Sequence, residues 1–169
     1  MSKFTADQLS YAEQVRGYLG REGAIAFLKA MGIRMSVGHW SAGDFCDRFA
    51  PPGYHSNDPA FANTFEGQCR RTKAAGIDAI EIHQSVFEKT LNGDIDHQAI
   101  TRAQQGFLAE LGMTVTACNI NTWTNPKFRL GGPCNPDPAL RRAALDEVLK
   151  GVEICRLMKI PVLSVWPGS

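Results

Sequence analysis

Four short β-prone runs, separated by longer stretches of helical periodicity, constrain this chain more than any single motif does. The runs are Ile33 to Trp40, Ile77 to His83, Met113 to Asn121 and Ile160 to Trp166, starting 44, 36 and 47 residues apart. Each is rich in Val, Ile, Thr or small apolar residues. The intervals are too long for hairpins and long enough for helical crossovers, so the order predicts consecutive right-handed βαβ units and a parallel sheet. The helices are predicted over Pro59 to Ala75, with Asp58 as cap, over Asp96 to Leu111, and over Pro138 to Met158, with Asp137 as cap and proline at the first position. In the last of these, Leu140, Ala144, Leu145, Val148, Leu149, Val152, Ile154 and Cys155 mark a wide stripe expected to be buried.

Residues 1–32 are read as a separate helical arm. Leu9, Ala12, Val15 and Leu19 recur at helical spacing, and Gly20 and Gly23 are expected to break the arm into two short helices. With 169 residues, 44% hydrophobic and 21% charged, the chain has the composition of a globular domain. A net charge of +1 gives no field that would favour nucleic acid. No run approaches the roughly 20 apolar residues that span a bilayer, and the first residues carry no apolar signal core, so a cytoplasmic location is expected. Five cysteines without a C-x-x-C spacing argue against a disulfide framework or a structural zinc site; Cys69, Cys118 and Cys155 are expected in the core.

Two parallel architectures fit: an open doubly wound sheet and part of a barrel. The segment Gly38 to Gly43 lacks the G-x-G-x-x-G spacing of a dinucleotide site. A complete eight-stranded barrel takes about 250 residues, and four strands use this chain to Pro167-Gly168-Ser169. The expectation is therefore an α/β fold made of about half a (β/α)₈ barrel, residues 33–169, in a native chain that continues further.

In barrels the C-terminal strand ends face the site. That rule selects His39 and Trp40, then His83, then Asn119 and Asn121, then Trp166. His83 is titratable near neutral pH and is the candidate acid, base or hydroxyl ligand. Glu81 shares its face, one layer deeper. Trp40, Trp123, Phe128 and Trp166 form an aromatic group on or near the same rim, expected either to pack as core under the loops or to wall the C–H faces of a sugar. His55 and His97 are expected at the surface. The loop 122–137, with its Asn-Pro and Gly-Gly-Pro turns, is long enough to be functional. No P-loop, G-x-S-x-G or H-E-x-x-H motif is present.

These residues resemble a family. Arg34 to Gly43 is similar to the first strand of bacterial xylose isomerases, and Gly76 to His83 to the second, which ends on the family's site histidine. Asn125-Pro126-Lys127-Phe128, followed by Asn135-Pro136-Asp137-Pro138, resembles the loop with the pocket phenylalanine and the helix start after it. Val165-Trp166-Pro167-Gly168 resembles the fourth strand end. The resemblance implies a divalent-metal-dependent sugar isomerase or epimerase on a TIM barrel. His83 would be catalytic, Trp40, Asn119, Phe128 and Trp166 would bind substrate, and the parent protein would be homo-oligomeric. It implies Mg²⁺ or Mn²⁺ held by strands five to eight, so the ligands would lie outside this chain, which alone would be inactive. One position departs: where those enzymes place an aspartate three residues after the histidine, this chain has Val86. That loosens the resemblance to the wider superfamily of sugar-modifying barrels. The alternative expectation is a non-catalytic half-barrel that dimerises or binds a sugar.

Overall fold

A computed structural model describes residues 6–43 and 64–166. The chain divides into two compact units, Met1–Met35 and Ser36–Ser169.

In the first unit, α1 spans Ala6–Ala30. The break expected at two glycines occurs at Gly20 alone, whose φ of 58° and ψ of −174° are non-helical. The helix closes through Gly32 at φ 77°, where the Ile33 amide donates back to the Leu28 carbonyl.

The second unit is α/β. Its strands are β1 (Ser36–Gly38), β2 (Ala79–His83), β3 (Thr114–Asn121) and β4 (Val162–Trp166). They form one all-parallel sheet in the order β1-β2-β3-β4. Between them lie α2 (Phe65–Ala74), α3 (His97–Gln105), α4 (Phe107–Leu111) and α5 (Pro138–Met158). Cys69 of α2, Ile100 and Ala103 of α3, Leu108 of α4 and Ile154 of α5 join Ile80, Ile82, Cys118 and Ile120 in one core. These helices therefore cover one face of the sheet. Alternation leaves Ala79, Glu81, His83, Asn119, Asn121, Ser164 and Trp166 on the other face.

That division depends on a bulge. Ile80 pairs with Val115 but Glu81 with Ala117, so Thr116 is the extra residue of β3. Its hydroxyl donates to the Ile80 carbonyl at 3.4 Å and meets the Ser36 hydroxyl at 2.7 Å. Val115 packs against the core. Without the bulge, Asn119 and Asn121 would share its face and be driven among the helices.

Three boundary expectations are corrected. α2 begins after Thr64, whose side chain accepts from the Gly67 amide; Asp58 and Pro59, expected to start it, lie outside the described residues, as do His55 and Cys46. The helix expected over 96–111 breaks at Gly106, where φ −105° and ψ −116° separate α3 from α4. The first strand is three residues, because the chain turns into a 3₁₀ segment at His39–Ser41. Asp137 and Pro138 start α5 as expected, with the Asp137 carboxylate accepting from the Ala139 amide.

The stripe on α5 is also corrected. Ala144, Glu147, Gly151 and Ile154 are its buried residues, while Leu145, Leu149 and Val152 are about half exposed. Gly151 sets this rotation: a Cβ there would overlap the Ile120 side chain, so the helix lies close on β3. Of the cysteines expected inside, Cys69 and Cys118 are buried and Cys155 is half-buried. Burial pushes the Cys69 thiol up to about 12.

Candidate functional site

The strand ends bring a histidine and three tryptophans together. His83, the last residue of β2, lies beneath the Trp40 indole, with ring centroids 4.5 Å apart and planes 10° from parallel. Trp123 meets His83 in a T-shaped contact, with ring centroids 5.5 Å apart and planes at 88°. Trp123 in turn lies 5.8 Å from Trp166 at the end of β4. His39 completes the group, perpendicular to His83 at 5.1 Å and to Trp40 at 5.3 Å.

Local sequence explains how each ring is placed. Gly38 has no side chain, and a Cβ there would overlap the Trp40 ring, so the glycine lets the indole fold back over β1. The 3₁₀ turn then presents His39 beside it. Trp123 is placed by an Asx turn: the Asn121 side-chain oxygen accepts from the amides of Trp123 at 3.3 Å and Thr124 at 3.0 Å. The Trp166 indole N–H donates to the Ser164 hydroxyl at 2.9 Å, and the Thr122 hydroxyl donates to the Trp166 carbonyl at 3.0 Å.

Below the rings, register sets His83 beside Asn119 and Asn119 beside Ser164. The Asn119 amide donates to the Glu81 carboxylate at 3.2 Å, which fixes which end of Asn119 faces down. The His39 Nδ1–H points at the Gln68 side-chain oxygen, 3.2 Å away, leaving Nε2 buried and, among the described residues, without a partner.

Burial, with the neighbouring His39 adding to it, lowers the His83 imidazole to about 4. Burial also lowers His39, against the opposing hydrogen bond from Gln68. Both rings are therefore neutral at pH 7, each with one N–H and one lone pair for hydrogen bonding.

Among the residues expected at the site, Trp40, His83 and Trp166 are joined in one chain of rings, and Asn119 lies beside His83. Trp40 and Trp166 remain 45% and 54% exposed, so each keeps a face open. Phe128 is different. It is 3% exposed, in the 3₁₀ turn Pro126–Phe128 under the Lys127 ammonium, and it shares no ring contact with that group among the described residues. Trp123 carries the contact to His83 instead. His97 is exposed at the start of α3.

Sequence reasoning missed a buried ion cluster behind the site. The Lys150 ammonium lies 2.8 Å from Glu147 and 3.8 Å from Glu88, and donates to the Gly93 carbonyl at 2.7 Å. Both carboxyl side chains are almost fully buried. Burial, reinforced by Glu147, pushes Glu88 up to about 8. Burial works against the Glu147 carboxylate too, but the closer Lys150 holds it below its ordinary value. The two carboxyls therefore favour holding one proton between them. No motif signals this: Glu147 stands inside an apolar helical pattern that reads as continuous.

Among the described residues, no group of three or more His, Cys, Asp or Glu side chains is placed to hold a metal ion, and no helix is long and apolar enough to cross a membrane. The chain matches no protein-family model and no curated protein closely enough to place it.

Proposed function

We propose that these four strands are consecutive units of a (β/α)₈ barrel, that their C-terminal rim binds a sugar, and that the parent activity is aldose–ketose isomerisation or epimerisation of the xylose isomerase-like kind. Two features support the barrel over a doubly wound sheet. A doubly wound sheet reverses its strand order at a switch point and carries helices on both faces. Here the strands run in sequence and the helices cover one face. The face turned away from these helices is polar and small in its middle layers, with Ala79, Glu81, Ala117, Asn119 and Ser164, as a barrel interior near its mouth must be to admit a hydrated ligand.

The observation that carries the sugar reading is the ring of His83, Trp40, Trp123 and Trp166 above Asn119. Indole faces suit the C–H side of a pyranose or an extended polyol, while neutral imidazole and amide groups suit its hydroxyls. His83, kept neutral, can accept a proton from one hydroxyl or donate to a ring oxygen. The tryptophans exclude water around it. The divalent cation that such chemistry uses, Mg²⁺ or Mn²⁺, would need ligands other than the described residues.

Titration with a panel of pentoses, hexoses and their alditols at millimolar concentration tests the reading. It expects shifts in the His83 and Trp123 ring resonances and a change in tryptophan emission for at least one sugar. Unchanged spectra across the panel would sink it. A non-catalytic half-barrel that dimerises is the second reading, favoured by the half-exposed Val162, Val165 and Trp166 of β4 and by the half-exposed Leu145, Leu149 and Val152 of α5. Sedimentation equilibrium separates the two: that reading requires a discrete dimer.

A further inference from the structure

We infer that Gln84 is a positioning residue for the His83 site, acting as a surrogate strand that clamps Asn121 and, through it, Trp123. This rests on reading the His83 rim as the functional site. Gln84 follows His83 directly and is completely buried. In a parallel sheet, the N–H and C=O of one residue point to the same neighbour. For Asn121, the last residue of β3, that neighbour should be β2, but β2 has already ended at His83. The Gln84 side chain takes its place. Its oxygen accepts from the Asn121 amide at 2.8 Å, and its NH₂ donates to the Asn121 carbonyl at 3.3 Å. The same NH₂ reaches Glu147 of α5 at 3.4 Å, which fixes the orientation of the Gln84 amide.

The consequence runs outward. Asn121, held on its backbone by Gln84, uses its side chain to cap Trp123 and Thr124 and to donate to the Thr124 hydroxyl at 2.8 Å. Trp123 then closes against His83. One side chain therefore extends the sheet past its last strand residue and holds the wall that packs against the half-buried His83. Glu147, at the centre of the buried face of α5, is the anchor, and its charge is in turn balanced by Lys150.

The test uses Gln84→Met, which keeps the volume and loses both hydrogen bonds to Asn121. The folded variant should exchange the Asn121 amide about tenfold faster, the effect of one lost hydrogen bond. Its His83 titration should move up from about 4 toward the ordinary imidazole value as water reaches the ring. Amide shifts in α3 and α4 should stay as in the parent, which separates a local change from general loosening. A folded variant with unaltered Asn121 exchange and unaltered His83 titration would overturn the inference. Should Gln84→Met fail to fold, the parent chain decides: Asn121 must be protected to the level of Ile120, and rapid exchange there refutes the clamp. If the His83 titration moves in the variant but no sugar binds the parent, the positioning role stands and the sugar reading falls.

Discussion

His83 and Glu88 are five residues apart and respond to burial in opposite directions of stability. His83 is lowered from 6.5 to about 4, so the unfolded chain binds more protons between those values. Its contribution is complete above pH 6.5 and is lost as pH falls toward 4. His39 adds a slope of the same sign. Glu88 is raised to about 8, so its contribution is complete below pH 4.5 and is lost as pH rises through 8. Urea unfolding across pH should show both flanks, and His83→Phe should reduce the acid one while leaving the alkaline one. An unchanged acid flank in that variant would show that His83 is not desolvated. Gly38 makes a sharper residue-level case. Gly38→Ala places a methyl group in the Trp40 ring, with an expected cost of about 1–3 kcal/mol and loss of the Trp40–His83 stack. Denaturation together with the His83 titration checks it. Residue identities at the strand ends were readable in advance because strand termini in parallel α/β folds face the site. The Gln68 contact to His39 and the Gln84 contact to Asn121 were not, since each joins residues more than 25 positions apart.

The last crossover helix shows what periodicity can and cannot do. Its caps, Asp137 and Pro138, are local signals and located it correctly. Its rotation is not local. Gly151 seats the backbone on Ile120, which turns Glu147 inward and leaves Leu145, Leu149 and Val152 half exposed. Gly151→Val should therefore cost about 1–3 kcal/mol by overpacking. Lys150→Met removes the cation from two buried carboxyls and should cost about 3 kcal/mol or more. That loss should be larger at pH 9, where Glu88 is pressed to ionise, than at pH 5, where it is protonated. Equilibrium unfolding of Lys150→Met at the two pH values checks the difference, and equal losses would contradict a shared proton.

At the scale of the sheet, β4 pairs among the described residues with β3 alone and carries Val162, Val165 and Trp166 about half exposed. Apolar edge strands template association. Val162→Lys should increase the monomer fraction at high protein concentration, read by light scattering, with little change in the thermal transition; unchanged association would place the sticky surface elsewhere. The sequence by itself determined the α/β class, the four strands, the cap of α5, and the residues at each strand end. These follow from periodicity, capping chemistry and alternation, which act over a few residues at a time. Tertiary structure alone decided the bulge at Thr116 that turns Asn119 and Asn121 away from the helices. It also decided that Trp123, not Phe128, meets His83, and that Glu147 lies inside. In each case the deciding contact comes from a distant segment, and steric fit between segments has no local signature.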